Sequence, residues 1–327
     1  MIPSSKQHPL MPDQLDCPFI AVYFQNHRPN GVQKQKDERT REEERMFLAF
    51  FQIGIFETYQ FLYQECRDVA HFKDWIIEVK GMELFLKAAR DFNEWHNNNK
   101  VYEEGVVSAQ LLSEVQVNFW LQNGYLQIPA LIGEQECDAV VELMMNTLSI
   151  DLNDNKSWYP VHQLLQGLML QVYQDQNIDK IRYDSKLKLV FTQLYRQKAL
   201  VAVPEKLGYN PPETDNYRFT GSPLHWDIDF GRGIQYHIQG LIYLNDVPDN
   251  RGPLTLIPGF HLEIDEFLAQ NPNPELAIKK LRASNRQIAI AGKKGDLIVW
   301  LEALPHAASP NHSDQPRFVQ YVSFLEL

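Results

Sequence analysis

Two histidines and one aspartate carry the strongest chemical signal in the chain. In Ser222-Pro-Leu-His225-Trp-Asp227 an imidazole and a carboxylate stand two residues apart. Alternate residues of an extended segment share a face, so His225 and Asp227 can present a nitrogen and an oxygen to one point. A second histidine, His306, follows far downstream in LPHAASPN, just past the strand-like GDLIVW. Two histidines and one carboxylate form a facial triad that leaves positions open for a chelating co-substrate and dioxygen, and iron(II) is the usual metal for it. Each piece alone is weak. A histidine two residues from an aspartate arises often by chance, and loop histidines are commonly structural.

Arg317 strengthens the case. It stands eleven residues after His306 and opens the last strand-like segment. A guanidinium fork binds a carboxylate bidentately. By the period of two, Arg317, Val319, Tyr321 and Ser323 share one face of that strand. If the face lines a barrel, an arginine without a counter-charge there is costly. A dicarboxylate that chelates the metal at one end and meets Arg317 at the other removes the cost. The competing explanation is a rim arginine paired with a protein acid.

These residues need a scaffold to bring them together. The first 37 residues are rich in Pro, Gln and Asn with one apolar island, Phe19 to Phe24, and read as an extended arm with little regular structure. From Glu38 to Asn98 the spacing of Phe47, Phe50, Phe51, Ile55, Tyr59 and Leu62, then of Leu84, Phe85, Ala88 and Phe92, predicts helices packed on one another. His96 to Lys100 reads as a linker. A helix is expected to end at Asn123-Gly124, with the glycine in a left-handed cap. A short strand over Tyr125 to Ile128 and a helix from about Gly133 follow. Further helices are expected over Val161 to Asp175 and Ser185 to Tyr195. The period then changes to two, with strands over Ala199 to Val203, Gln235 to Leu244, Leu254 to Ile257, Arg286 to Ile290, Asp296 to Trp300 and Phe318 to Leu325. Helices first and short strands after predict a mainly β fold with helices outside: a double-stranded β-helix, or jelly roll, behind a helical N-terminal segment. The expected organisation is an arm over 1–37, a helical segment over 38–114 and a jelly-roll domain over 115–327.

Four segments in order, NGYLQIPALIGEQECDAV, HWD, NRGPLTLIPGFH and KGDLIVW…LPHAASPN…R, together resemble the phytanoyl-CoA dioxygenase family over roughly Val115 to Leu327. The resemblance implies a jelly-roll core, Fe(II), O2 and oxidative decarboxylation of 2-oxoglutarate to succinate and CO2. By position it makes His225, Asp227 and His306 the metal ligands and Arg317 the 2-oxoglutarate anchor. Members often carry a small hydroxyl residue two after the distal histidine, where this chain has Ala308; Ser309 or Ser323 stands close enough in sequence to substitute. Relatives that halogenate replace the carboxylate ligand by Gly or Ala, so Asp227 implies hydroxylation of a small-molecule substrate. Desaturation, cyclisation or epimerisation at the same centre remains an alternative, as does a non-catalytic metal-binding sensor or interaction module.

Around this centre, Gln239 and His237 lie on a strand where either could touch co-substrate or substrate. Arg232, Lys206 and Arg218 are candidate substrate contacts, each with a solvated surface residue as its plainer explanation. Arg251 and His261 lie among Gly-Pro and Pro-Gly pairs that shape turns, and Trp226 is expected to pack away from the metal.

Composition sets the outer limits. The chain has 327 residues and a net charge of −11, which argues against a nucleic-acid surface or an anionic membrane as partner. A small substrate, anionic or carrier-linked, is compatible with that charge. Cys17, Cys66 and Cys137 are few and scattered, as free thiols in a reducing compartment are. With no signal-peptide layout and no apolar stretch long enough to span a bilayer, a cytoplasmic protein is expected. Oligomeric state is left open.

Overall fold

The computed structural model describes residues 17–28, 37–97 and 110–327. The chain divides into two compact units, Met1–Tyr102 and Glu103–Leu327.

The first unit is helical among its described residues: α1 (Phe19–His27), α2 (Glu38–Phe51), α3 (Ile55–Gln64), α4 (Val69–Lys80) and α5 (Met82–His96). Asp37 and Asp68 cap α2 and α4, their carboxylates accepting from the Thr40 and His71 backbone N–H groups. Phe47, Phe51, Phe85 and Phe92 are fully buried among the helices, as the spacing predicts, and Phe72 joins them. The expected extended arm is corrected at its apolar island. Phe19, Ile20, Tyr23, Phe24 and His27 recur on one side of α1 and are all buried, so burial favours a helix there. Residues 1–16 and 29–36 of that arm, and 98–100 of the expected linker, lie outside the described residues.

The second unit starts with α6 (Glu114–Asn123), β1 (Tyr125–Ile128) and α7 (Glu134–Leu148). Ser113 and Gln116 close a capping box at the head of α6, and Gly124 ends it at φ 70°. Then come β2 (Leu165–Gln166), β3 (Met169–Leu170), α8 (Gln176–Arg182), α9 (Ser185–Leu194), β4 (Leu200–Ala202), β5 (Leu207–Asn210), β6 (Ile238–Tyr243) and β7 (Leu254–Leu256). The chain finishes with α10 (Ile264–Gln270), α11 (Pro274–Arg282), β8 (Ile288–Ile290), β9 (Leu297–Leu301), β10 (His306–Ala308) and β11 (Arg317–Glu326). The helix expected over Val161 to Asp175 is absent. Gly167, at φ 59°, turns the chain so that Leu165 pairs with Leu170 in a tight hairpin, and only the closely spaced leucines mimic a helical face.

The strands form two antiparallel sheets. The large one runs β1-β9-β6-β11-β5-β3-β2, with β4 added on β11, and the small one runs β10-β7-β8. Central β11 is ten residues long and almost wholly buried. A cavity of about 210 Å³ is lined from both sheets, by Leu241, Trp300 and Tyr321 on one side and Leu254, His306 and Ala308 on the other. This is the expected jelly roll, but "mainly β" needs correction. More of the described residues are helical than stranded, because the described residues of the first unit are mostly helical and most strands are only two to six residues long. The fold is α+β with a jelly-roll core.

Asp296 ties the core together at a buried turn. Its carboxylate accepts from the Ala130 and Lys293 N–H groups and from Gln127 Nε2, all at 2.9 Å. Among the described residues no helix is long and apolar enough to cross a membrane.

Candidate active site

His225 lies on a stretch without regular structure between β5 and β6, and His306 opens β10. An isolated antiparallel bridge joins them: His225 N donates to His306 O at 3.0 Å and His306 N to His225 O at 2.9 Å. The two rings are thereby brought to 4.8 Å between centroids. Each Nδ1 faces the carbonyl two residues earlier, Pro223 O at 2.9 Å and Leu304 O at 3.0 Å. A carbonyl only accepts, so each Nδ1 carries the proton and each Nε2 is free to offer a lone pair.

Both Nε2 atoms point at Asp227. His225 Nε2 lies 3.4 Å from Oδ1 and His306 Nε2 3.5 Å from Oδ2. The three ligand-type atoms fall within 4.8 Å of one another. Burial pushes the Asp227 carboxyl up, but His225, His306 and Gln239 outweigh it and hold the carboxyl well below the usual carboxylate range. Asp227 correspondingly raises the His225 pKa against the opposing effect of burial. A carboxylate kept charged between two correctly turned imidazoles is a donor set suited to a divalent transition metal.

The carboxylate is itself held. Gln239 Nε2 donates to Asp227 Oδ2 at 2.6 Å, and Trp300 Nε1 donates to Gln239 Oε1 at 2.8 Å. Gln239, expected as a co-substrate contact, thus has both ends of its amide engaged in fixing Asp227, though it also borders the cavity. Trp226 turns away and donates to Ala303 O at 3.2 Å, as expected.

Arg317 borders the same cavity and is 1% exposed. Nη1 donates to Gly252 O at 2.5 Å, while Nε and Nη2 find no hydrogen-bond partner among the described residues. Two orphaned donors on a buried guanidinium are costly unless an acceptor meets them. A carboxylate is the acceptor whose geometry suits the fork. The residues present therefore fit a metal chelated by a dicarboxylate.

The remaining expected residues divide. Ser309 is not on the cavity: its hydroxyl donates to Pro253 O at 2.8 Å, so it is no substitute for a hydroxyl at Ala308. Ser323 does reach the cavity, with its hydroxyl given to Glu205. Lys206 and His237 line the cavity; Arg232 and Arg218 do not, and Arg218 is exposed. Arg251 is held by Asp246 O and Ser313, and His261 by Leu121 O, both as turn-shaping residues. Two roles escaped the sequence reading. Trp300 as the clamp on Gln239 shows only once β6 and β9 pair in register. Glu205 was passed over because β5, which it precedes, contains Gly208 and was not expected as a strand.

Comparison with known proteins agrees with this arrangement. Residues 120–319 match the family model described as Phytanoyl-CoA dioxygenase (PhyH). A Dictyostelium discoideum protein that bears the phytanoyl-CoA dioxygenase name is 21% identical over 261 residues, spanning 63% of this chain and 74% of its own. Among solved structures, the non-heme alpha ketoglutarate dependent carbocyclase SnoK from nogalamycin biosynthesis superposes with a TM-score of 0.52 at 19% identity, over 68% of this chain and 87% of its own. EctD from S. alaskensis with bound Fe superposes with a TM-score of 0.50 at 17% identity, over 69% and 80%. AviO1 from Streptomyces viridochromogenes Tue57 does so at 0.50 and 17%, over 67% and 97%. At these identities the structures share the fold, while the family match covers more than half of the chain, and the chain therefore belongs to the phytanoyl-CoA dioxygenase family of Fe(II)- and 2-oxoglutarate-dependent oxygenases.

Proposed function

We propose that this protein is a dioxygenase that hydroxylates a small molecule, with His225, Asp227 and His306 holding Fe(II) and Arg317 anchoring 2-oxoglutarate. The observation that carries the proposal is the shared cavity. One hollow holds the triad and a buried arginine with two unused donors, and a hydrolytic metal site has no evident use for the second. When bound, the iron centre supplies the oxidising chemistry: O2 and 2-oxoglutarate are consumed, succinate and CO2 leave, and one oxygen atom enters a substrate C–H bond.

The chain's own contribution is placement and exclusion. His225 and His306 are turned ligand-side inward by their Nδ1 hydrogen bonds before any metal arrives. Asp227 brings the negative charge, and Gln239 and Trp300 keep it from rotating away. Arg317 meets the far carboxylate of the co-substrate in a place where water competes poorly. Leu168, Met169, Leu241 and Val322 present apolar wall to the same hollow, which keeps water from the reacting atoms.

The test is an anaerobic titration of Fe(II) and 2-oxoglutarate, following the weak visible charge-transfer band of the chelate. A band in the parent protein that is lost in His306→Ala and needs far more 2-oxoglutarate in Arg317→Ala supports both assignments. A folded, metal-loaded parent protein that gives no band overturns the oxygenase reading. Hydroxylation is read from the mass of the product once succinate release has identified a substrate.

A further inference from the structure

The cavity has a polar flank that the chemistry above leaves unused. Glu205 and Lys206, at the entry to β5, both line it. Lys206 Nζ lies 3.3 Å from Glu205 Oε2, and Glu205 Oε1 accepts from Ser323 Oγ at 2.8 Å. The ammonium also sits over the Tyr321 ring, 5.6 Å from its centroid. Glu205 raises the Lys206 pKa, against burial, and keeps the lysine charged.

Strand register places this cluster. Ser323 lies opposite Gln239 across the β11–β6 pair, and Gln239 holds Asp227. Arg317 stands six residues back on β11, about 20 Å along the strand between Cα atoms. The Glu205–Lys206 pair therefore stands at the level of the triad, where a substrate C–H bond has to be presented, and away from the root of the anchor.

Charge selects what fits beside it. The side chains are only 23% and 35% exposed, so each depends on the other for compensation. An anion drawn to Lys206 would be repelled by Glu205 and would leave that carboxylate uncompensated. A cation on Glu205 would do the same to Lys206. A ligand carrying both charges replaces one ion pair with two and leaves nothing unpaired.

We infer that Glu205 and Lys206 recognise the head group of a small zwitterionic substrate, an ammonium beside a carboxylate as in a free amino acid. Glu205, steadied by Ser323, takes the ammonium, and Lys206, steadied by Tyr321, takes the carboxylate. The inference rests on the oxygenase reading and names the substrate class for it. The modest hollow, about 210 Å³, limits the substrate to a small molecule.

The experiment loads the protein anaerobically with Fe(II) and 2-oxoglutarate. It titrates free L-amino acids from glycine to leucine, and proline, beside the N-acetyl and the amide form of each. Binding is read from the shift of the chelate band and by calorimetry. At least one free amino acid is expected to bind about tenfold or more tighter than both of its blocked forms. Glu205→Gln is expected to erase the discrimination against the N-acetyl form, and Lys206→Met that against the amide. Ser323→Ala keeps both charges and is expected to keep both discriminations at lower affinity. If the band forms but no free amino acid binds, or if both discriminations survive both substitutions, the inference is wrong and the oxygenase reading stands. If no band forms, the oxygenase reading fails and takes this inference with it.

Discussion

His225 and His306 face each other across a pair of main-chain hydrogen bonds of 3.0 and 2.9 Å, although they stand 81 positions apart in the chain. The bridge belongs to the backbone, so it does not depend on either imidazole. Alanine at either position is expected to leave the protein folded while lowering Fe(II) affinity by more than about 100-fold. Circular dichroism beside a metal titration checks this. Loss of structure in either variant would show that the side chains hold the bridge.

Gln239 touches Asp227 and not the metal position, so its removal separates orientation from ligation. Gln239→Leu frees the carboxylate to rotate and also strands the Trp300 indole N–H. Metal affinity is expected to drop about 10–100-fold with all three ligands intact, as measured by competition with a chromophoric chelator. An unchanged affinity would show that the two histidines alone fix the carboxylate.

Arg317 makes a graded prediction. Arg317→Ala should raise the 2-oxoglutarate concentration needed for half-saturation by about 10–100-fold, the loss of a charge-assisted pair of hydrogen bonds. Arg317→Lys keeps the charge but not the fork and should fall in between. Equal behaviour of lysine and arginine in this titration would mean that charge alone anchors the ligand.

Asp296 is expected to matter for stability and not for chemistry. Asp296→Asn replaces an acceptor of three hydrogen bonds with a group that must turn a donor toward at least one N–H. The cost is expected to be about 2–3 kcal/mol, visible as a melting temperature lower by several degrees. Metal affinity at a temperature where the variant is folded should match that of the parent.

The thiol of Cys137 is pushed up to about 12, chiefly by burial. At pH 8 only about one in ten thousand is then thiolate. Iodoacetamide should label Cys137 at a rate set by unfolding, which mass spectrometry of the native and urea-treated protein will show. Rapid labelling of the native protein would mean that the α7 environment opens on its own.

Much of the centre was legible because it obeys local rules. His225 and Asp227 are two apart, Arg317 heads a strand whose period of two puts it on one face with Tyr321 and Ser323, and the helix ending at Gly124 shows its cap in the sequence. What stayed hidden depends on pairing between distant segments. Ser309 was as good a hydroxyl as Ser323 until the fold turned its Oγ to Pro253 O. Glu205 acquires its role only from Ser323, 118 residues away. The hairpin at Gly167 was mistaken for a helix because four leucines within seven residues satisfy both periods. The α1 helix was missed because the apolar island Phe19 to Phe24 carries too few turns for the helical period to stand out in this nine-residue helix.

Between Pro211 and His237 the chain forms no helix or strand, and the bridge at His225 is its one ladder contact with the small sheet. An ion ligated by His225 and Asp227 on this stretch and by His306 on β10 would act as a latch across that seam. Ligand linkage makes such a latch worth about 2.7 kcal/mol when free metal exceeds its dissociation constant about 100-fold. Amide protons across 211–237 should therefore exchange together, fast in the stripped protein and slowly in the loaded one. Iron supply would then set how long this stretch survives a protease, as well as how fast the enzyme turns over.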